Sequence, residues 1–202
     1  MKHVDILIER YPSLALCRED IEKTVDALLE MYRAGGKLLL CGNGGSCSDC
    51  EHISGELLKG FLLARKPLPE EVLGLDESIA SALQRGIPAV PLTSLTAVST
   101  AFANDVAPEN IFAQLVFALG GKNDVVLGIS TSGNSGNVLR AIKTAKVRGI
   151  KTVALTGAKG GKLNEIADIC IKVPECETFK VQELHLPVYH AICAEVEEVL
   201  FG

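Results

Sequence analysis

The chain has no tryptophan and only 4% aromatic residues, so any core it builds must rest on aliphatic packing. Histidine is scarce too: there are four in 202 residues, and each can be weighed by its neighbours. No apolar run approaches the roughly 18 residues of a membrane span. The opening MKHVDILIERYPSLALCRED interrupts its apolar positions with charges and lacks a signal-peptide core, so the expectation is a cytoplasmic protein with no membrane partner. Positive charge is in short supply, since 20 Lys plus Arg against 25 Asp plus Glu leaves −5. With no basic cluster to override that balance, nucleic acid is not expected as a partner. The nucleotide-binding pattern GxxxxGK[ST] is missing, and no nucleotide cofactor is expected. The cysteines number seven, an odd count at irregular spacings. Cys47 and Cys50 form an isolated CxxC with no second pair to complete a structural zinc site, while Cys41, Cys170 and Cys193 sit in apolar company as small hydrophobes.

What is present is 48% hydrophobic residues in a length suited to one domain, residues 1–202. Residues 3–34 read as amphipathic helix broken at Tyr11-Pro12-Ser13, needing a partner in the domain or in a neighbouring subunit. Strand-like runs follow at Lys37–Cys41, Pro88–Leu92, Asp124–Ile129, Thr152–Thr156 and Ile169–Val173. Helical patterns cover about Ser48–Leu63, Ser94–Phe102, Glu109–Leu119, the stretch after Gly136, and Val181–Leu200, with a short helix expected within Glu77–Leu83. Alternating strands and helices call for an α/β fold with a five-stranded, mostly parallel sheet flanked by helices. Residues 64–87 are the least regular stretch.

The chain is organised around DVVLGISTSGNSGNVLRAIKTAK, residues 124–146. A buried strand here breaks into Ser130-Thr131-Ser132-Gly133-Asn134-Ser135-Gly136 and then opens a helix. Unpaired N–H groups, the helix dipole and nearby hydroxyls make such a loop an anion site, suited without lysine to a phosphate monoester on a small molecule. The plainer reading is an ordinary capped loop. A second strand–loop–helix unit runs through Gly42-Asn43-Gly44-Gly45-Ser46. In a parallel sheet both loops open on one edge.

His52 and Glu56 are one turn apart on the helix after that second loop, where the plain alternative is a surface pair. On the last helix Gln182 and His190 are about 80° apart in projection and His185 about 140° from His190, so His185 reads as structural or exposed. His3 is assigned nothing. A carboxylate, an imidazole and a phosphate clamp at one edge suit proton transfer next to a carbonyl, with Glu56 taking a carbon-bound proton and His190 serving an oxygen. Gln182 and Ser46 are donors for an enediolate. His52, Glu56, Gln182 and His190 also make a plausible N/O metal set that would polarise the carbonyl. Gln182 and His190 are, however, about 12 Å apart along a straight helix. A non-helical Gln182, or residues from two chains, would meet one ion more easily, and a site at a subunit interface is expected.

The runs CGNGGSCSDCEHISGEL, GISTSGNSGNVLRAI, VALTG with GGKL and ADI, and VQELHLPVYHAICAEVEEVLF together resemble the sugar-isomerase (SIS) domain, and more closely the phosphoheptose isomerases, over nearly the whole chain. The resemblance implies a flavodoxin-like five-stranded parallel sheet and a homotetramer with active sites between chains. It implies interconversion of sedoheptulose 7-phosphate and glycero-manno-heptose 7-phosphate. Matched motif to motif, it implies Glu56 as base and His190 as acid, and Ser130, Thr131, Ser132 and Ser135 as the phosphate loop. Asn43, Gly44, Gly45, Ser46, Asn104, Asp105 and Gln182 become sugar contacts, and His52, Glu56, Gln182 and His190 the ligands of zinc. The chain departs from the family at Glu56-Leu57-Leu58-Lys59-Gly60-Phe61, where Glu-Leu-x-Gly-Arg-Phe is usual, in a longer 64–87 segment, and in Thr178-Phe179-Lys180-Val181. The competing readings are an isomerase of another sugar phosphate, a phosphosugar-binding regulator, or a non-catalytic relative that binds the replication initiator and lacks the acid/base pair.

Overall fold

The computed structural model describes all 202 residues. Helices α1 (Lys2–Arg10) and α2 (Arg18–Arg33) are joined by a 3-10 turn at Pro12–Cys17, where proline ends the first helix. The sheet is built from β1 (Leu38–Gly42), β2 (Ala89–Pro91), β3 (Val125–Ser130), β4 (Lys151–Gly157) and β5 (Ile169–Val173). All neighbours pair in parallel, in the order β2-β1-β3-β4-β5. Both faces are covered, so the strands are mostly apolar: Leu38 and Leu40 enter one core layer while Leu39 and Cys41 enter the other. Pro91 is tolerated because β2 is an edge strand.

Between these strands run α3 (Gly45–Leu58), the one-turn α4 (Glu77–Ala80), α5 (Thr96–Asp105), α6 (Ile111–Leu119), α7 (Gly136–Val147), the one-turn α8 (Leu163–Ile166), and finally α9 (Thr178–Phe201). Cys50, Ile53 and Leu57 of α3 bury into the layer that also holds α1, α2 and α9. Val138, Ala141, Ile142 and Ala145 of α7 bury into the opposite layer with α6. The chain therefore leaves β1 toward one face and β3, its neighbour, toward the other. That reversal opens a crevice beyond the strand ends, the place where α/β sheets bind ligands.

Three boundaries depart from the expected ones. Helix α3 stops at Leu58 instead of reaching Leu63, because the backbone N–H groups of Phe61, Leu62 and Leu63 donate to the Glu197 carboxylate and cannot continue the helix. Helix α9 begins at Thr178, so Gln182 is helical, and the non-helical alternative for it is excluded. The helix expected within 77–83 shrinks to Glu77–Ala80, amid exposed Leu73, Leu75 and Leu83.

Candidate active site

The two loops beside the crevice come from β1 and β3. After β1, Gly44 takes a positive φ of 55° and Gly45 lies so close to the Gln182 amide that a Cβ there would collide with it. Ser46 is buried in the first turn of α3. After β3, the Ser130 and Ser135 hydroxyls lie 2.9 Å apart. Gly133, at φ 67°, packs against the Gly160 carbonyl so tightly that no side chain fits. Thr131 and Ser132 stand at the rim, Ser132 exposed. Ahead of α7 the Ser135 carbonyl accepts from Leu139 and the Asn137 side chain accepts from Val138. The remaining first-turn donors, together with these hydroxyls, form the anion-binding end of the helix. Asn43 and Asn137 join the two loops by a reciprocal amide pair, both bonds 2.9 Å.

Two to three turns along α3 from the glycine loop, α3 and α9 bring three ligand groups together. His52 Nε2 lies 3.1 Å from Glu56 Oε1 and 3.4 Å from His190 Nε2, and the three ligand atoms all fall within 4.8 Å of one another. Two imidazole nitrogens and a carboxylate oxygen converging this closely suit a divalent ion of borderline softness, so this cluster is capable of holding zinc. The Tyr189 hydroxyl lies 2.9 Å from His52 Nδ1 and donates to Asp49 Oδ1 at 3.3 Å, which fixes the ring's orientation from behind. The other carboxylate oxygen of Glu56 faces the Lys59 ammonium at 3.6 Å. Lys59 thus sets a cation beside Glu56 from one position before the usual family arginine. Burial first, and then the His52 charge, push the His190 imidazole below its ordinary value, with Glu56 opposing.

The remaining expected residues fall elsewhere. Gln182 lies against Gly45, at the glycine loop. Asn104 and Asp105 are exposed at the end of α5, where the Asn104 amide donates to Asp105 at 2.8 Å, and neither bonds to the other site residues. His185 is fully buried. Tyr189, Asp49, Lys59 and Asn137 were missed in the sequence. Tyr189 precedes His190 and Asn137 lies in the SGNSGN loop, but nothing in their spacing says that they touch His52 and Asn43.

A parallel α/β sheet whose reversal point carries two Ser/Gly loops defines a phosphosugar-handling domain, and residues 13–157 match the family model described as the SIS domain. The phosphoheptose isomerase of Aneurinibacillus thermoaerophilus is 41% identical over 90% of this chain and 82% of its own length. Phosphoheptose isomerase 2 of Campylobacter jejuni is 43% identical over 87% and 78%. Among solved structures, the phosphoheptose isomerase of Neisseria gonorrhoeae superposes with a TM-score of 0.77 at 31% identity, covering 98% of this chain and 96% of that one. The chain belongs to the SIS-domain family and, within it, to the phosphoheptose isomerases.

Proposed function

We propose that the chain isomerises sedoheptulose 7-phosphate to D-glycero-D-manno-heptose 7-phosphate through an enediol. The reading rests on one observation above all: Glu56 and His190 converge with His52 between α3 and α9, the two helices whose N-terminal ends meet at the glycine loop through Gly45 and Gln182. The phosphate seats on Ser130, Thr131, Ser132 and Ser135 at the N-terminus of α7, and Asn43, Gly44, Gly45, Ser46 and Gln182 line the sugar. Glu56 moves the proton between C1 and C2, and its two oxygens have different surroundings, one toward His52 and one toward Lys59. His190, held toward its neutral form, shuttles the proton at the carbonyl or ring oxygen. Zinc would be held by His52, Glu56 and His190 and would polarise the carbonyl when bound; on this geometry a Gln182 ligand would come from another chain.

We place the protein in the cytoplasm as a homotetramer with sites between chains. A groove of about 310 Å³ between α1 and α9 gives a neighbouring chain a place to meet the site. It is walled by Ile6, Leu7, Leu186 and Ala194 and reaches His190 itself. Asn104 and Asp105, which are exposed and bond to none of the other site residues, would then serve a neighbouring subunit's sugar.

The test is isomerisation of sedoheptulose 7-phosphate by purified protein, with and without zinc, alongside His190→Ala. Turnover by the wild type that vanishes in the variant supports the assignment. Binding of the sugar phosphate with no turnover by the wild type overturns it in favour of a binding protein, and turnover of a five- or six-carbon phosphate alone overturns the choice of sugar.

A further inference from the structure

One buried charged cluster lies outside the chemistry described so far. The Arg65 and Glu197 side chains are 0% and 1% exposed and joined by a 2.6 Å contact from Nε to Oε1. The other guanidinium nitrogens donate to the Leu57 carbonyl at 2.6 Å and the Glu56 carbonyl at 3.1 Å. Those carbonyls belong to the last turn of α3, which has no helical partners for them. Glu197 accepts the N–H groups of Phe61, Leu62 and Leu63 at 2.8, 2.7 and 3.2 Å. Glu197 is on α9, two turns beyond His190 and on the same side of the helix. Arg65 is also the one non-glycine residue with a positive φ, 26°. Such a backbone persists where the surroundings over-determine it, and here the guanidinium's three anchors do so.

We propose that Arg65 and Glu197 are positioning residues that lock the end of the helix bearing Glu56 to the helix bearing His190. The inference rests on the roles given above to Glu56 and His190. Apolar contacts and the Tyr189 hydroxyl hold the middle of α3 against α9, whereas the clasp defines where the α3 backbone ends, at Glu56 itself. A guanidinium is required, because a lysine ammonium is a point charge that cannot span a carboxylate and two carbonyls in one plane. The clasp takes no part in proton transfer.

The experiment compares wild type, Arg65→Lys and Glu56→Gln in three readouts: thermal melting, the separate kcat and KM, and zinc affinity by competition with a chromophoric chelator. Arg65→Lys is expected to fold with a lowered Tm, to lose about 10- to 100-fold in kcat well below that Tm with KM within about threefold, and to bind zinc about tenfold more weakly. A lowered Tm with kcat and zinc affinity at wild-type levels means an ordinary stabilising ion pair and overturns the proposal. If Arg65→Lys does not fold, Arg65→Gln combined with Glu197→Gln, which leaves no charge buried alone, takes its place in the same readouts. Failure of that double variant to fold also decides against a positioning role. Full activity in Glu56→Gln would instead refute the base assignment, and zinc affinity would still report whether the clasp sets the spacing of the three ligands.

Discussion

At the scale of single residues, Glu56 and His185 make opposite predictions. Glu56 is half-buried beside His52 and Lys59 and is the proposed base, so Glu56→Gln should keep the fold and bind the sugar phosphate within a few-fold while losing about 10²- to 10⁴-fold in kcat. Retained turnover would refute its role. His185 is fully buried, neither ring nitrogen completes a hydrogen bond, and the Thr156 backbone beside it only partly offsets burial, which pushes the imidazole down to about 4. The unfolded chain takes up this proton near pH 6.5, well before the folded one does. Stability from His185 is therefore complete above pH 6.5 and lost as pH falls toward 4, by about 3 kcal/mol in all. Urea melts at pH 7.5 and 4.5 should show a smaller acid loss in His185→Leu than in wild type by about that amount, whatever the variant's overall stability. Equal acid losses would show that the ring is solvated or protonated in the fold.

At the scale of elements, the Ser130–Ser135 loop depends on backbone that no side chain can enter. Gly133 combines a positive φ with contact against the Gly160 carbonyl, so Gly133→Ala must move either the Ser130–Ser135 loop or the loop after β4. The expected outcome is a loss of about 1–3 kcal/mol in stability and a KM for the sugar phosphate raised more than kcat is lowered. Steady-state kinetics over a range of sugar phosphate concentrations checks this, and an unchanged KM would mean that the loop does not carry the phosphate. The helices show a different dependence. The amphipathic patterns of α2 and α7 were legible along the chain, since each buries one stripe, whereas α9 is enclosed on every side from Ala191 to Glu197. The end of α3 was not, because Leu58 to Leu63 is as helix-compatible as what precedes it and only Glu197, far away in sequence, takes its N–H groups.

At the scale of the whole molecule, the groove between α1 and α9 is where the proposed assembly would meet the chemistry. If a second copy fills it, Leu186→Glu, which places a charge on its wall, should lower the mass measured by light scattering and reduce activity together. Ile6→Glu, on the facing helix, should do the same. Loss of mass with full activity would show that each chain carries a complete site.

The strands, their parallel arrangement, both glycine loops and the pair His52–Glu56 were readable from the sequence alone. Their signals are local: a run buried on both faces must be apolar, a loop over a helix N-terminus needs Gly and Ser, and residues four apart share a helix face. The relation between elements belongs to the tertiary structure. The strand order that puts the loops after β1 and β3 at one crevice, the approach of His190 to His52, the backing of His52 by Tyr189 and Asp49, and the Arg65–Glu197 clasp join residues as much as 140 positions apart. No local propensity encodes such contacts. They follow from which faces of α3 and α9 the common core buries, and so from packing that exists only once the chain has folded.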